Sequence, residues 1–154
     1  MKIIKTLSSL VGGLIMVIAF FQPWASITIM GFTKHEFTGL GLSERDPLWF
    51  MVGGSSFLIL FLALIAVVLM LSNSDKLGGY FGVAILPLAL VALGYLAYML
   101  LQVYGEGLAS PLGVKVTAAS IDLHLLIGVP LEIAGAFLAA VGGALFLLGL
   151  KKAQ

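Results

Sequence analysis

The chain has 154 residues with eight basic and seven acidic side chains, a formal net charge of +1, and a composition 61% hydrophobic and 10% charged. That balance excludes an ordinary soluble domain, where about half the residues are apolar and about a quarter charged. The near-neutral charge and the lack of any Lys/Arg-rich run give no footing for nucleic acid, and without cysteine no disulfide or thiolate metal site can form.

The first apolar stretch covers about residues 7–24, and Lys2 and Lys5 precede it as they would in a secretory signal. No clear small-x-small cleavage site follows its core, so it is expected to remain as a first membrane helix. Trp24 at its end, with Trp49 and Tyr104 further on, is expected to anchor the outer membrane boundary, where amphipathic rings are enriched. In the link that follows, residues 25–47, Ala25-Ser26-Ile27-Thr28-Ile29 alternates, Gly31 interrupts, and Phe32-Thr33-Lys34-His35-Glu36-Phe37-Thr38 resumes with β-favouring residues before Gly39. This reads as a short hairpin.

Asp46 and Pro47 open the second stretch, about residues 48–71, because Asp accepts from orphan amides and Pro needs no partner at a first helical position. Only Ser72, Asn73, Ser74, Asp75 and Lys76 separate it from the third, about residues 77–103, a link short enough to require an antiparallel helical hairpin. Tyr95 and Tyr98 in the third stretch read as core aromatics whose hydroxyls need a polar partner. The next link carries Val114-Lys115-Val116-Thr117 and the alternating Ile121-Asp122-Leu123-His124-Leu125, which suits a half-exposed strand. The alternative extends the fourth helix back to a Ser120 cap with Pro130 as a kink. Pro130 in a first helical turn, with Glu132 near the positive end of the helix dipole, favours the strand.

In the fourth stretch, about residues 128–150, Gly128, Gly135, Gly142 and Gly149 recur every seven residues, with Glu132, Ala139 and Phe146 at alternating steps of four and three between them. All seven share one helix face. Lipid gives helices no hydrophobic reason to associate, so close approach through small residues marks this face as a helix-packing or partner interface, with Gly143 off it. Gly12-Gly13, Gly53-Gly54 and Gly78-x-x-x-Gly82 are candidate counterparts.

Each stretch is near or above the roughly 20 residues that cross a hydrocarbon core about 30 Å thick. The expected fold is an all-α membrane protein, one four-span unit over residues 1–154: an antiparallel bundle with a small outer β-sheet from the two outer links. Lys2, Lys5, Lys76, Lys151 and Lys152 share one side against Lys34, Arg45 and Lys115 on the other, which puts both termini in the cytoplasm of a multi-pass cell-membrane protein.

Glu132 alone among the charged residues falls clearly within a stretch, and a carboxylate at a helix centre costs on the order of 2.5 to 3.5 kcal/mol to insert. Three readings stand: a structural one, bonded to helix amides, to Tyr104 or to a loop side chain; proton or cation handling; or a partner contact. His35 and His124 lie in the outer strands without a Cys/His/carboxylate spacing around them, so no metal is expected, and no nucleophile, P-loop or dinucleotide motif accompanies the acidic pairs. No cofactor is expected.

Two segments carry a family likeness. Pro23-Trp24-Ala25-Ser26 followed by Gly31 resembles the segment with which claudin-type tetraspan proteins leave their first helix, and Glu132-Ile133-Ala134-Gly135-Ala136 with Gly142-Gly143 is similar to the opening and paired glycines of their fourth. The paired cysteines and Gly-Leu-Trp of their first outer loop are missing here, with only Gly39-Leu40-Gly41-Leu42 where they would fall, and short bacterial four-span proteins are as similar in length. The resemblance implies a left-handed bundle under an outer sheet that acts in adhesion or as an auxiliary subunit. Abundant close-packing glycine, almost no polarity within the stretches and no catalytic motif make the expected function a non-enzymatic accessory or scaffold subunit of a larger integral membrane complex in the lipid bilayer, docked through small-residue faces. The alternative is a small homo-oligomeric proton-coupled transporter whose copies bring Glu132 to a shared cavity.

Overall fold

The computed structural model describes residues 2–29, 33–43, 47–105 and 121–151. Its elements in chain order are α1 (Lys2–Phe21), β1 (Pro23–Ile29), β2 (Thr33–Thr38), α2 (Gly39–Ser43), α3 (Pro47–Leu71), α4 (Asp75–Gly105), β3 (Ile121–Leu125) and α5 (Gly128–Lys151). Four of the helices are long and apolar enough to cross a membrane, over Ile3–Phe21, Met51–Leu71, Asp75–Leu101 and Gly128–Leu150. That is the architecture of a multi-pass membrane protein. Large apolar side chains such as Phe61, Val68, Val91, Leu101 and Phe137 stand more than half exposed around its flank, a surface that only lipid or protein would cover without cost.

α1 ends earlier than the hydropathy of the first stretch implies. Pro23 disfavours helical backbone in the residue before it, so the helix closes at Phe21 and Trp24 belongs to β1. β1 pairs antiparallel with β2 on one side, Ile27 opposite His35, and with β3 on the other, Ile27 opposite Leu123, giving the sheet order β2-β1-β3. Thr38 then caps a short helix that the alternation before it conceals: its Oγ1 accepts from the Gly41 amide at 3.1 Å as α2 begins. Val114 to Thr117 and Asp46 lie outside the described residues, whereas Pro47 is the first residue of α3.

α4 begins at Asp75, so the link between α3 and α4 is the three residues Ser72, Asn73 and Ser74, and it is a Schellman close. Asn73 takes a left-handed φ of 61°, the Ser74 amide donates to Leu69 O at 2.8 Å and the Asn73 amide to Met70 O at 3.4 Å. Asp75 then sits in the first turn of α4, where the helix dipole favours an acid. Pro87 lies inside α4, and its ring leaves the Val83 carbonyl without an amide donor from position 87.

α1 packs along α5 and α3, and α4 along the same two helices, while α3 and α5 barely touch. On α1 and α5, Gly12 faces Gly135 and Ala139, and Ser9 and Lys5 face Gly142; on α4 and α5, Gly79 faces Leu150, Gly82 faces Phe146 and Leu86 faces Gly143. Two buried clusters fill the interior. Trp24, Ala25, Val52, Leu96, Met99 and Val129 lie beneath the sheet, and Met16, Ile59, Ala63, Ile85, Ala89, Ala92, Ala136 and Ala139 lie deeper.

Candidate functional site

Glu132 sits at the seam between those two clusters. One turn into α5, it follows Val129 of the upper cluster and precedes Ala136 of the lower, and its side chain is fully enclosed. Across the interior, Ser56 occupies the same seam on α3, between Val52 above and Ile59 below. The Ser56 hydroxyl lies 2.6 Å from Glu132 Oε1 and 2.9 Å from the Val52 carbonyl of its own helix. Glu132 Oε2 has no hydrogen-bond partner. The bond therefore links α3 to α5, the diagonal pair that otherwise barely touches, through the middle of the four helices. In so apolar a setting a polar bond keeps more of its strength and an unmade one costs more.

The partner differs from those the sequence offered. Helix amides, Tyr104 or a loop side chain are the donors the sequence suggests, and the residue that reaches the carboxyl is a serine ten places into α3. Depth arithmetic supplies the missing signal. Ser56 follows Met51 by five residues and Glu132 follows Gly128 by four, so the two are level when measured from the starts of their apolar windows.

The glycine face of α5 is occupied from within the chain. A methyl group added at Gly135 would come within 2.8 Å of the Met16 amide and 2.9 Å of Gly12 O, and one at Gly142 within 2.7 Å of the Ser9 amide. Gly128 lies under the Trp24 indole, and Gly149 beside the Lys5 ammonium. Ala139 and Phe146 are fully buried on the same side. Ser8 adds a bond from its hydroxyl to Leu138 O at 2.8 Å. Gly143, placed off the face, is packed as tightly on the other side, with the Leu86 backbone 2.8 Å from an added methyl. The face expected as a helix-packing or partner interface is packed within the chain, mainly against α1, where small residues on both helices let the backbones close on each other. Gly54 and Gly94 are the contrast: an added methyl at either meets nothing within 4 Å.

Trp24 is not a boundary ring. It is 1% exposed, and its indole N–H donates at 2.7 Å to Ala19 O, a last-turn carbonyl that also accepts the Gln22 amide at 3.0 Å. Proline at 23 turns the chain inward over the helix end, which carries the ring beneath the sheet. The side chains of Trp49 and Tyr104 lie outside those described. Tyr98 is also not a core residue, being 54% exposed, while Tyr95 packs against the upper cluster. His35 is exposed on β2, beside a solvated Lys34–Glu36 ion pair at 2.8 Å. Among the described residues no group of three His, Asp or Glu could hold a metal ion. Neither a family model, nor a curated protein, nor a solved structure matches this chain.

Proposed function

We propose that the chain is a non-enzymatic accessory or scaffold subunit of a larger integral membrane complex. It would be an antiparallel four-helix bundle of the cell membrane, with both termini and the residue 72–76 link in the cytoplasm and the sheet outside. The observation that carries this reading is the enclosure of Glu132. The carboxyl within the spans is fully buried and bonded to Ser56 of the same chain, so it supports the chain's own packing. A transporter whose copies pool their carboxylates around a shared cavity needs that group on an outer face, and transport sites usually gather several polar groups. The likeness of residues 23–26 and 132–136 to claudin-type proteins supports the same class.

With the α5 glycines covered by α1 and α4, partner contact falls to the outward sides of α3 and α4, where Gly54 and Gly94 leave room for another helix. Purification in mild detergent, followed by mass spectrometry of co-purifying chains, is expected to give larger membrane proteins in fixed stoichiometry. A pure self-oligomer that carries a pH-driven flux in vesicles, lost in Glu132→Gln, would replace this reading with the transporter.

The lysine distribution supports the orientation. Single cysteines placed at Ser74 and Thr38 of this cysteine-free chain test it. An impermeant reagent outside intact cells should label position 38 and spare position 74; the reverse pattern inverts the topology.

A further inference from the structure

β2 is an edge of the outer sheet, and the direction of its backbone groups follows from the alternation of an antiparallel ladder. The Leu126 amide donates to Trp24 O at 2.8 Å, so that carbonyl points toward β3 and the Ala25 amide, across the same planar peptide, toward β2. Ala25 pairs with Phe37 and Ile27 with His35, which turns the backbone groups of Phe37 and His35 inward to β1. Those of Lys34 and Glu36 therefore point out of the sheet, and among the described residues no backbone bond reaches them. Lys34, His35 and Glu36 are all exposed, although successive side chains leave a strand on opposite faces, so β2 is covered there on neither face.

An open edge of this kind is a template for a further strand unless its charges repel one. Here the charges select the strand. Lys34 and Glu36 flank His35 on one face of β2, with 2.8 Å between ammonium and carboxylate. A second β2 laid antiparallel about His35 sets Lys34 opposite Glu36 of the other copy and Glu36 opposite its Lys34. The outward backbone groups of both residues are satisfied in that register, and an ion pair forms on either side of His35. Moving the centre by one residue puts Lys34 against Lys34 or Glu36 against Glu36, like charges that oppose the pairing. The axis relating two such strands is perpendicular to the sheet. Ala25 and Phe37 rest on Trp24, Val52, Leu96, Met99 and Val129 at the helix ends, so this axis runs along the helices and copies in one bilayer can meet through it.

We propose that β2 is a self-association surface, through which two copies of the chain in one membrane join edge to edge, antiparallel about His35, into a continuous sheet. The inference uses the membrane reading of the four spans and is independent of the accessory role.

The test uses the full chain in its membrane, where the lack of native cysteine lets one introduced thiol report. Facing residues of a non-hydrogen-bonded antiparallel pair have Cα atoms about 4.5 Å apart, within disulfide reach. His35→Cys should therefore give a covalent dimer under a mild membrane-permeant oxidant, read on a non-reducing gel. Lys34→Cys should give little, because the pairing sets position 34 against position 36 and not against itself. Adding Lys34→Glu to the His35→Cys chain should cut the dimer several-fold, and adding Lys34→Glu with Glu36→Lys should restore it, since exchanging the two charges keeps them complementary. No dimer at position 35, an equal dimer at position 34, or a yield indifferent to Lys34→Glu overturns the proposal. So does a position 35 adduct whose mass identifies a different protein as the occupant of the edge. Co-purifying chains read the accessory role, and labelling at positions 38 and 74 reads the topology, so a failure of either is distinguishable from a failure of this pairing.

Discussion

α1 presents consecutive glycines to two neighbours, and the two interfaces came out differently. Toward α5, Gly12 meets Gly135 and the Ala139 backbone, and Gly142 repeats the arrangement two turns on, so backbone lies on backbone over most of the helix. Toward α3, Gly13 touches Leu60, and Gly53 is covered by the Phe20 ring. One interface is closed by small residues on both partners; the other meets backbone to backbone at Gly13 and through side chains such as Phe20 elsewhere. Where lipid supplies no hydrophobic pressure, glycine on one helix alone does not hold two helices together along their length.

The sharpest way to break that contrast is to overfill the closed side. Gly12→Leu or Gly135→Leu would push a side chain into backbone atoms that cannot rotate away, and about 3 kcal/mol of stability should be lost, the upper end of ordinary overpacking. Gly143→Leu should behave alike, because Leu86 backbone stands in its way, whereas Gly54→Leu and Gly94→Leu should change stability by less than about 0.5 kcal/mol. Thermal unfolding in detergent followed by circular dichroism decides it. Equal melting temperatures across the set would mean that the glycine face does not hold the helices.

A second, intermediate effect tests the diagonal. Ser56→Ala leaves the enclosed Glu132 without its one bonded partner and should cost about 1 to 3 kcal/mol, the usual penalty of an orphaned buried polar group. Removing both groups, as Ser56→Ala with Glu132→Met, should recover most of the loss, since apolar replacement of a whole pair is nearly neutral. A double variant no more stable than Ser56→Ala would show that the carboxyl matters for something beyond this bond. The smallest effect is at an α1 hydroxyl: Ser8→Ala, which loses the bond to Leu138 O, should cost about 1 kcal/mol.

Much of this architecture was legible in the chain because its signals are local. Apolar length marked the four helices, alternation the strands, and the seven-residue glycine period a packed face. Pro23 was also legible, yet Trp24 reads as the end of the apolar stretch and as a ring of the outer membrane boundary, whereas the turn at the proline buries it over Ala19. α2 escaped notice because five residues with two glycines carry no period. What could not be read was which surface each glycine would meet. That depends on how four nearly uniform apolar helices are arranged about one another, and Gly143 looks in sequence like an exposed control although it lies against Leu86. Ser56 was invisible for the same reason: a hydroxyl becomes a partner only once its level and azimuth on a distant helix are known.

That azimuth has its own consequence for how the chain settles. A helix surrounded by hydrocarbon can spin about its long axis at little cost, because Leu facing lipid and Leu facing Leu are nearly equivalent, and on α5 apolar side chains point in every direction. Turning α5 by a single residue would sweep Glu132 through about 100° and strand its carboxyl away from Ser56, against a penalty of some 2.5 to 3.5 kcal/mol for charge in the membrane. The acid thus acts together with the glycine face to set the rotational phase of the last helix, because the same turn would also bring larger side chains against the α1 and α4 backbones.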